Sequence, residues 1–108
     1  MEDQDIRGAI ADLKQVLTER LGVGVELYLY GSVARKDYGS DSDIDILVLI
    51  PGKVDTDLKE EIIDIAFYIE IKYSVCIQII ARSKEYWESG LSMATPFYQN
   101  VRKEGIRL

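Results

Sequence analysis

Ile44-Asp45-Ile46-Leu47-Val48-Leu49-Ile50 is an almost unbroken apolar run, closed by Pro51-Gly52. It is far too short to cross a bilayer, and its aliphatic, β-branched content suits a strand. A strand whose two alternating sets of side chains are both apolar must be covered on both faces. It therefore belongs in the centre of a sheet, within a small three-layer or two-layer α/β domain.

The flanking sequence supplies that cover. Ile6, Ile10, Leu13, Leu17 and Leu21 recur at spacings of three and four, predicting a first helix with one apolar face. Gly22 and Gly24 end it, and Val25 to Tyr30 reads as a strand. Gly31-Ser32 makes a sharp turn, followed by a helical turn over residues 33–36 and a polar loop over residues 37–42 centred on Gly39. Beyond the central run, Leu58, Ile62, Ile65 and Ile69 mark a second helix, with Asp55 or Thr56 as N-cap. Ser74 to Ile80 alternates as a third strand, and Ser83 caps a short helix reaching Trp87. Thr95 as N-cap, Pro96 at the first helical position and Gly105 past the end punctuate a last helix. The order predicts an α/β (α+β) domain: one small mixed β-sheet flanked by helices, formed by residues 1–108 as a single domain.

Composition narrows the chemistry. The 108 residues contain no histidine and one cysteine, Cys76. Histidine acid–base chemistry, histidine-containing triads, internal disulfides and multi-cysteine metal sites are excluded together. The net charge of −6, from 13 basic and 19 acidic residues, opposes binding of extended nucleic acid, which requires Lys and Arg to neutralise phosphates. No apolar run is long enough for a membrane span, and the acidic start Met1-Glu2-Asp3-Gln4-Asp5 lacks a signal segment, so a cytoplasmic location is expected. Cys76 reads as a small buried hydrophobe. Tyr28, Tyr30, Tyr68 and Tyr73 read as core or interface packing residues, in preference to base-stacking ones. Tyr86, Trp87, Phe97 and Tyr98 either cover the sheet or form a patch for a partner.

The chemistry resides in Gly31-Ser32-Val33-Ala34-Arg35 and, six residues on, Ser42-Asp43-Ile44-Asp45. On a strand, residues two apart point the same way with Cα atoms roughly 6–7 Å apart. Asp43 and Asp45 thus converge at the wet rim of a face that Leu47 and Leu49 continue into the core. Two such carboxylates repel unless a cation lies between them. Mg²⁺ suits them, because it takes one or two carboxylates and completes its octahedron with water and phosphate oxygens. Gly31 lets a phosphate approach the backbone, and Ser32 offers an amide and a hydroxyl. Taken singly, an Asp-x-Asp is ordinarily a solvated surface and a Gly-Ser turn mere punctuation; the spacing between two strands is what joins them. A calcium loop starting at Asp41 is excluded, since Ile46 and Gly52 stand where it needs glycine and glutamate.

These residues resemble the minimal nucleotidyltransferase family of the DNA polymerase β-like superfamily, whose motif is G-S-x-A-R followed by S-D-x-D. The match is specific over residues 31–48, and the element order agrees over most of the chain. The resemblance implies the nucleotidyltransferase fold, transfer of a nucleoside monophosphate from a nucleoside triphosphate, ATP being expected, to a hydroxyl, and release of pyrophosphate. It implies Asp43 and Asp45 as catalytic ligands of Mg²⁺ (or Mn²⁺), with Gly31, Ser32, Arg35 and Ser42 on the nucleotide side; Arg35 has a local structural role as its alternative. It further implies a helical HEPN-type partner protein, with the chain as the antitoxin-like member. Two departures stand out. Lys36 replaces a common glycine, and the third carboxylate expected on the following strand has no acidic candidate among Ser74, Cys76 and Gln78. Gln78 is the expected occupant, with Glu70 a remote substitute. An amide can touch a cation but cannot take a proton, so a weakly active or inactive nucleotide-binding antitoxin module is the alternative function. A domain this small is expected to complete its site with a partner or by self-association.

Overall fold

The computed structural model describes residues 2–108. Helix α1 (Asp3–Leu21) buries Ile6, Ala9, Leu13 and Leu17, the face set by its apolar spacing. Strand β1 (Glu26–Tyr30) runs into the single helical turn α2 (Gly31–Arg35), and β2 (Ile44–Ile50) follows the polar loop. Helix α3 (Thr56–Tyr73) starts on Asp55, whose side chain accepts from the Leu58 N–H. Ser74, left-handed at φ 55°, ends it. Strand β3 (Ile77–Ser83), the short helices α4 (Lys84–Trp87) and α5 (Gly90–Met93), α6 (Pro96–Glu104) and β4 (Ile106–Arg107) complete the order.

The sheet order is β3-β2-β1-β4. β1 pairs antiparallel with both β2 and β4, while β2 pairs parallel with β3 through the α3 crossover, so the sheet is mixed. As its sequence requires, β2 is central, and Ile46, Leu47 and Val48 have no exposed surface. Its two side-chain sets enter different cores. Ile44, Ile46, Val48 and Ile50 pack with α1 and α3. Leu47 and Leu49 pack with Trp87 and Val101, flanked by Tyr28, Tyr30, Ile80, Phe97 and Tyr98. The C-terminal aromatics therefore cover the sheet: Phe97 meets Tyr30 and Trp87 edge-on at 5.3 and 5.8 Å.

Several expectations are corrected. The third strand is displaced from residues 74–80 to Ile77–Ser83. Its polar end, Arg82-Ser83, pairs with Leu49-Ile50 because the length of β2 carries the ladder that far. Cys76 is exposed, since the α4–α6 layer covers Ile80 but stops short of Cys76 and Gln78. Tyr68 is exposed on the outer face of α3, so of its two expected roles, core or interface packing, it does not fill the core one. Helix α5 and strand β4 carry too little periodicity to be read beforehand.

Candidate functional site

The chain order brings both motif halves to one end of the sheet. Tyr30, the last residue of β1, is paired with Asp45 near the start of β2. The chain leaves Tyr30 through Gly31 at φ +76°, a backbone region that residues with a Cβ rarely adopt. This bend turns α2 across the mouth of the two strands. A Cβ on Gly31 would lie 2.2 Å from Asp45 Oδ2, so the absent side chain is what lets the carboxylate lie against the turn. The motif glycine and the second motif aspartate are thus neighbours. In the loop between, the Ser42 hydroxyl accepts from the Gly39 N–H at 3.0 Å and closes the chain ahead of Asp43.

The electrostatics at this rim are those of crowded acids. Partial burial, and then the charge of Asp43, push the Asp45 carboxyl above the ordinary carboxylate range; Arg35 opposes and Glu104 adds to the shift. Burial, with the nearby Asp45 charge, pushes the Tyr30 phenol up to about 12. A cation between the two aspartates would relieve this strain, so the donor set fits a divalent ion that takes its remaining ligands from water and phosphate. Among the described residues no group of three or more acidic, His or Cys side chains converges to hold a metal unaided.

Gln78 is directly across from Asp45 in the β2–β3 register and is exposed. Glu70 is engaged elsewhere, its Oε2 accepting from the Ile77 N–H at 3.0 Å. Arg35 is held by carboxylates on two sides: Nε donates to Asp37 Oδ2 at 3.0 Å, and Nη1 to Glu104 Oε1 and Oε2 at 3.2 and 3.1 Å. Glu104 Oε1 also accepts from the Gly31 N–H at 3.1 Å. Sequence reading missed Glu104. Its partners lie 73 and 69 residues away, and only the return of α6 over the sheet brings them together. A groove of about 670 Å³ lined by Arg7, Ile10, Val33, Lys36 and Tyr38 lies on the α1 side of α2 and contains neither aspartate.

The match to a family model decides the class: the model described as "Nucleotidyltransferase domain" matches residues 10–107. The chain belongs to the nucleotidyltransferase-domain family. Divalent cations are general to that family. Among relatives, the chain is 35% identical over 104 residues to "Putative protein adenylyltransferase MJ0604" of Methanocaldococcus jannaschii, covering 96% of this chain and 94% of that one. A solved structure, "putative minimal nucleotidyltransferase", aligns with a TM-score of 0.65 at 23% identity, covering 100% of this chain and 97% of the other. A chain in the structure of a tri-AMPylated Shewanella oneidensis HEPN toxin with an MNT antitoxin aligns with a TM-score of 0.53 at 18% identity, covering 92% and 70%. These likenesses carry the fold, and the family match makes nucleotidyl transfer the class of activity.

Proposed function

We propose that this chain, as one domain, transfers a nucleoside monophosphate, AMP from ATP, to a hydroxyl of a helical HEPN-type partner protein in the cytoplasm. Asp43 and Asp45 hold Mg²⁺ or Mn²⁺, and Gly31, Ser32 and Ser42 border the triphosphate. The observation that carries this reading is the contact between Gly31 and Asp45. It leaves a phosphate resting on the turn within reach of a cation on the acid pair. The names of its relatives support the acceptor: one is a protein adenylyltransferase by name, and another structure pairs an MNT antitoxin with an AMPylated toxin.

In the reaction, the acceptor hydroxyl oxygen bonds to the α-phosphorus as the bond to the β-phosphate oxygen breaks. Pyrophosphate leaves with that electron pair, and the hydroxyl proton passes to solvent or to a base on the partner. The bound ion supplies charge neutralisation at the phosphate oxygens. The residues of this chain orient: the turn sets where the phosphates rest, and the rim of β2 sets where the cation rests. Ser32, Asp43 and Asp45 are half-buried and Gln78 is exposed, so a partner protein or a second copy is needed to exclude water around the acceptor.

Gln78 favours a second reading. Standing opposite Asp45, it offers no carboxylate to accept the hydroxyl proton, which fits a module that binds nucleotide and partner with slow turnover. One incubation separates the two. ATP labelled at the α-phosphate is mixed with Mg²⁺, this chain and the helical partner. Label on the partner that disappears with Asp43→Asn supports transfer. Thermal stabilisation by MgATP without label supports the binding module. Neither signal with any divalent metal contradicts both.

A further inference from the structure

Helix α2 has five residues, too few to fix its own position, because the first N–H groups of a helix have no partner within it. One of these, the Gly31 N–H, is taken by Glu104 from the last turn of α6. The same carboxylate grips Arg35, the last residue of α2, through both oxygens. Glu104 therefore spans the turn from first residue to last, and its side chain is 24% exposed, shielded enough for these charge-assisted bonds to hold. The turn also abuts Asp45 Oδ2, which a Gly31 Cβ would overlap. Whatever fixes Gly31 also fixes the separation between the turn and the acid pair.

We propose that Glu104 is a positioning residue for nucleotidyl transfer, stapling the Gly31 turn to α6 so that the turn and Asp45 keep the spacing a metal–triphosphate needs. This rests on the functional reading above. It reassigns two donors. The Gly31 N–H serves the staple, leaving the Ser32 amide and hydroxyl for phosphate. Arg35, engaged by Glu104 and Asp37, steadies the turn and does not contact the nucleotide.

The test uses the full chain, nitrogen-labelled, with two readouts: hydrogen exchange of the Gly31 amide by NMR and MgATP affinity by calorimetry. Glu104→Ala is expected to lower Gly31 protection and weaken MgATP about tenfold, the scale of one charge-assisted hydrogen bond. Glu104→Gln, which keeps an acceptor for the Gly31 N–H, recovers most of both. Arg35→Ala also lowers Gly31 protection, because Glu104 loses its anchor, and the double variant is no worse than Glu104→Ala alone. If Glu104→Ala does not fold, Glu104→Gln and Arg35→Ala carry the test. Unchanged Gly31 protection in Glu104→Ala, or in Arg35→Ala where Glu104→Ala does not fold, overturns the proposal. So does tighter MgATP binding by Glu104→Ala or Glu104→Gln, which would make the carboxylate an obstruction. If the unsubstituted chain binds no MgATP, the functional reading falls and takes the proposal with it; binding that is insensitive to Glu104 removes the proposal alone.

Discussion

At the scale of single residues, Gly31 and Asp45 are interdependent. Gly31→Ala meets two penalties at once: a left-handed backbone, costing about 1–3 kcal/mol, and a Cβ placed 2.2 Å from Asp45 Oδ2. The variant is expected to melt several degrees lower and to lose MgATP stabilisation, both readable in one thermal-shift series. Asp45 also sets a pH dependence. Its carboxyl is raised by burial and by Asp43, so as pH falls through that raised value it is protonated before an ordinary acid. Protonation relieves the crowding and stabilises the cation-free fold, whereas a cation requires the ionised form. Mn²⁺ affinity should therefore rise with pH through a window above the ordinary carboxylate range, with protons released on binding. Calorimetry in buffers of different ionisation enthalpy measures that release. These residues were legible in sequence because glycine at a turn and Asp-x-Asp at a strand start report local backbone demands. Glu104 was not legible, because its role depends on a contact across most of the chain. The exposure of Cys76 was likewise hidden, since it depends on where the α4–α6 layer ends.

At the scale of elements, the ends of strands and helices are tied by ion pairs that no periodicity predicts. Glu26, at the start of β1, receives Lys84 at 2.7 Å and the Tyr28 hydroxyl at 2.9 Å, with Arg107 of β4 at 4.0 Å. The Lys84 bond foremost holds its carboxyl below the ordinary value. Stability from this depression is present above the unfolded-state pKa and is lost as pH falls through the lowered one. Glu26→Gln should therefore reduce the urea midpoint at neutral pH and converge on the unsubstituted protein in strong acid. Elements with their own punctuation were readable beforehand. The Thr95 hydroxyl accepts from the Tyr98 N–H, Pro96 opens α6, and the Ser83 hydroxyl caps α4 by accepting from the Tyr86 N–H. Strand β4, two residues long, exists only by pairing with β1 and has no signal of its own. The displacement of β3 has the same origin: pairing with β2 set its end, whereas alternation had suggested an earlier one.

At the scale of the molecule, two apolar cores share one sheet and meet at β2. The unbroken aliphatic character of that strand made this arrangement legible, whereas the identity of its covering layers depended on long-range packing. Leu47 lies in the core that includes Trp87 and Val101, with no exposed surface. Leu47→Ala should cost about 2–5 kcal/mol, enough to unfold much of a marginally stable domain, as read by chemical denaturation. The outer face of α3, with Ile63, Phe67, Tyr68 and Ile71 exposed, has no cover among the described residues.

What occupies the rim between Asp43, Asp45 and the Gly31 turn tests the proposed metal–triphosphate site most directly. Crystals grown with Mn²⁺ and a non-hydrolysable ATP analogue should show an anomalous peak between the two carboxylates, with the triphosphate against Ser32. Manganese bound elsewhere, or a nucleotide seated away from the turn while the aspartates remain in place, would contradict it.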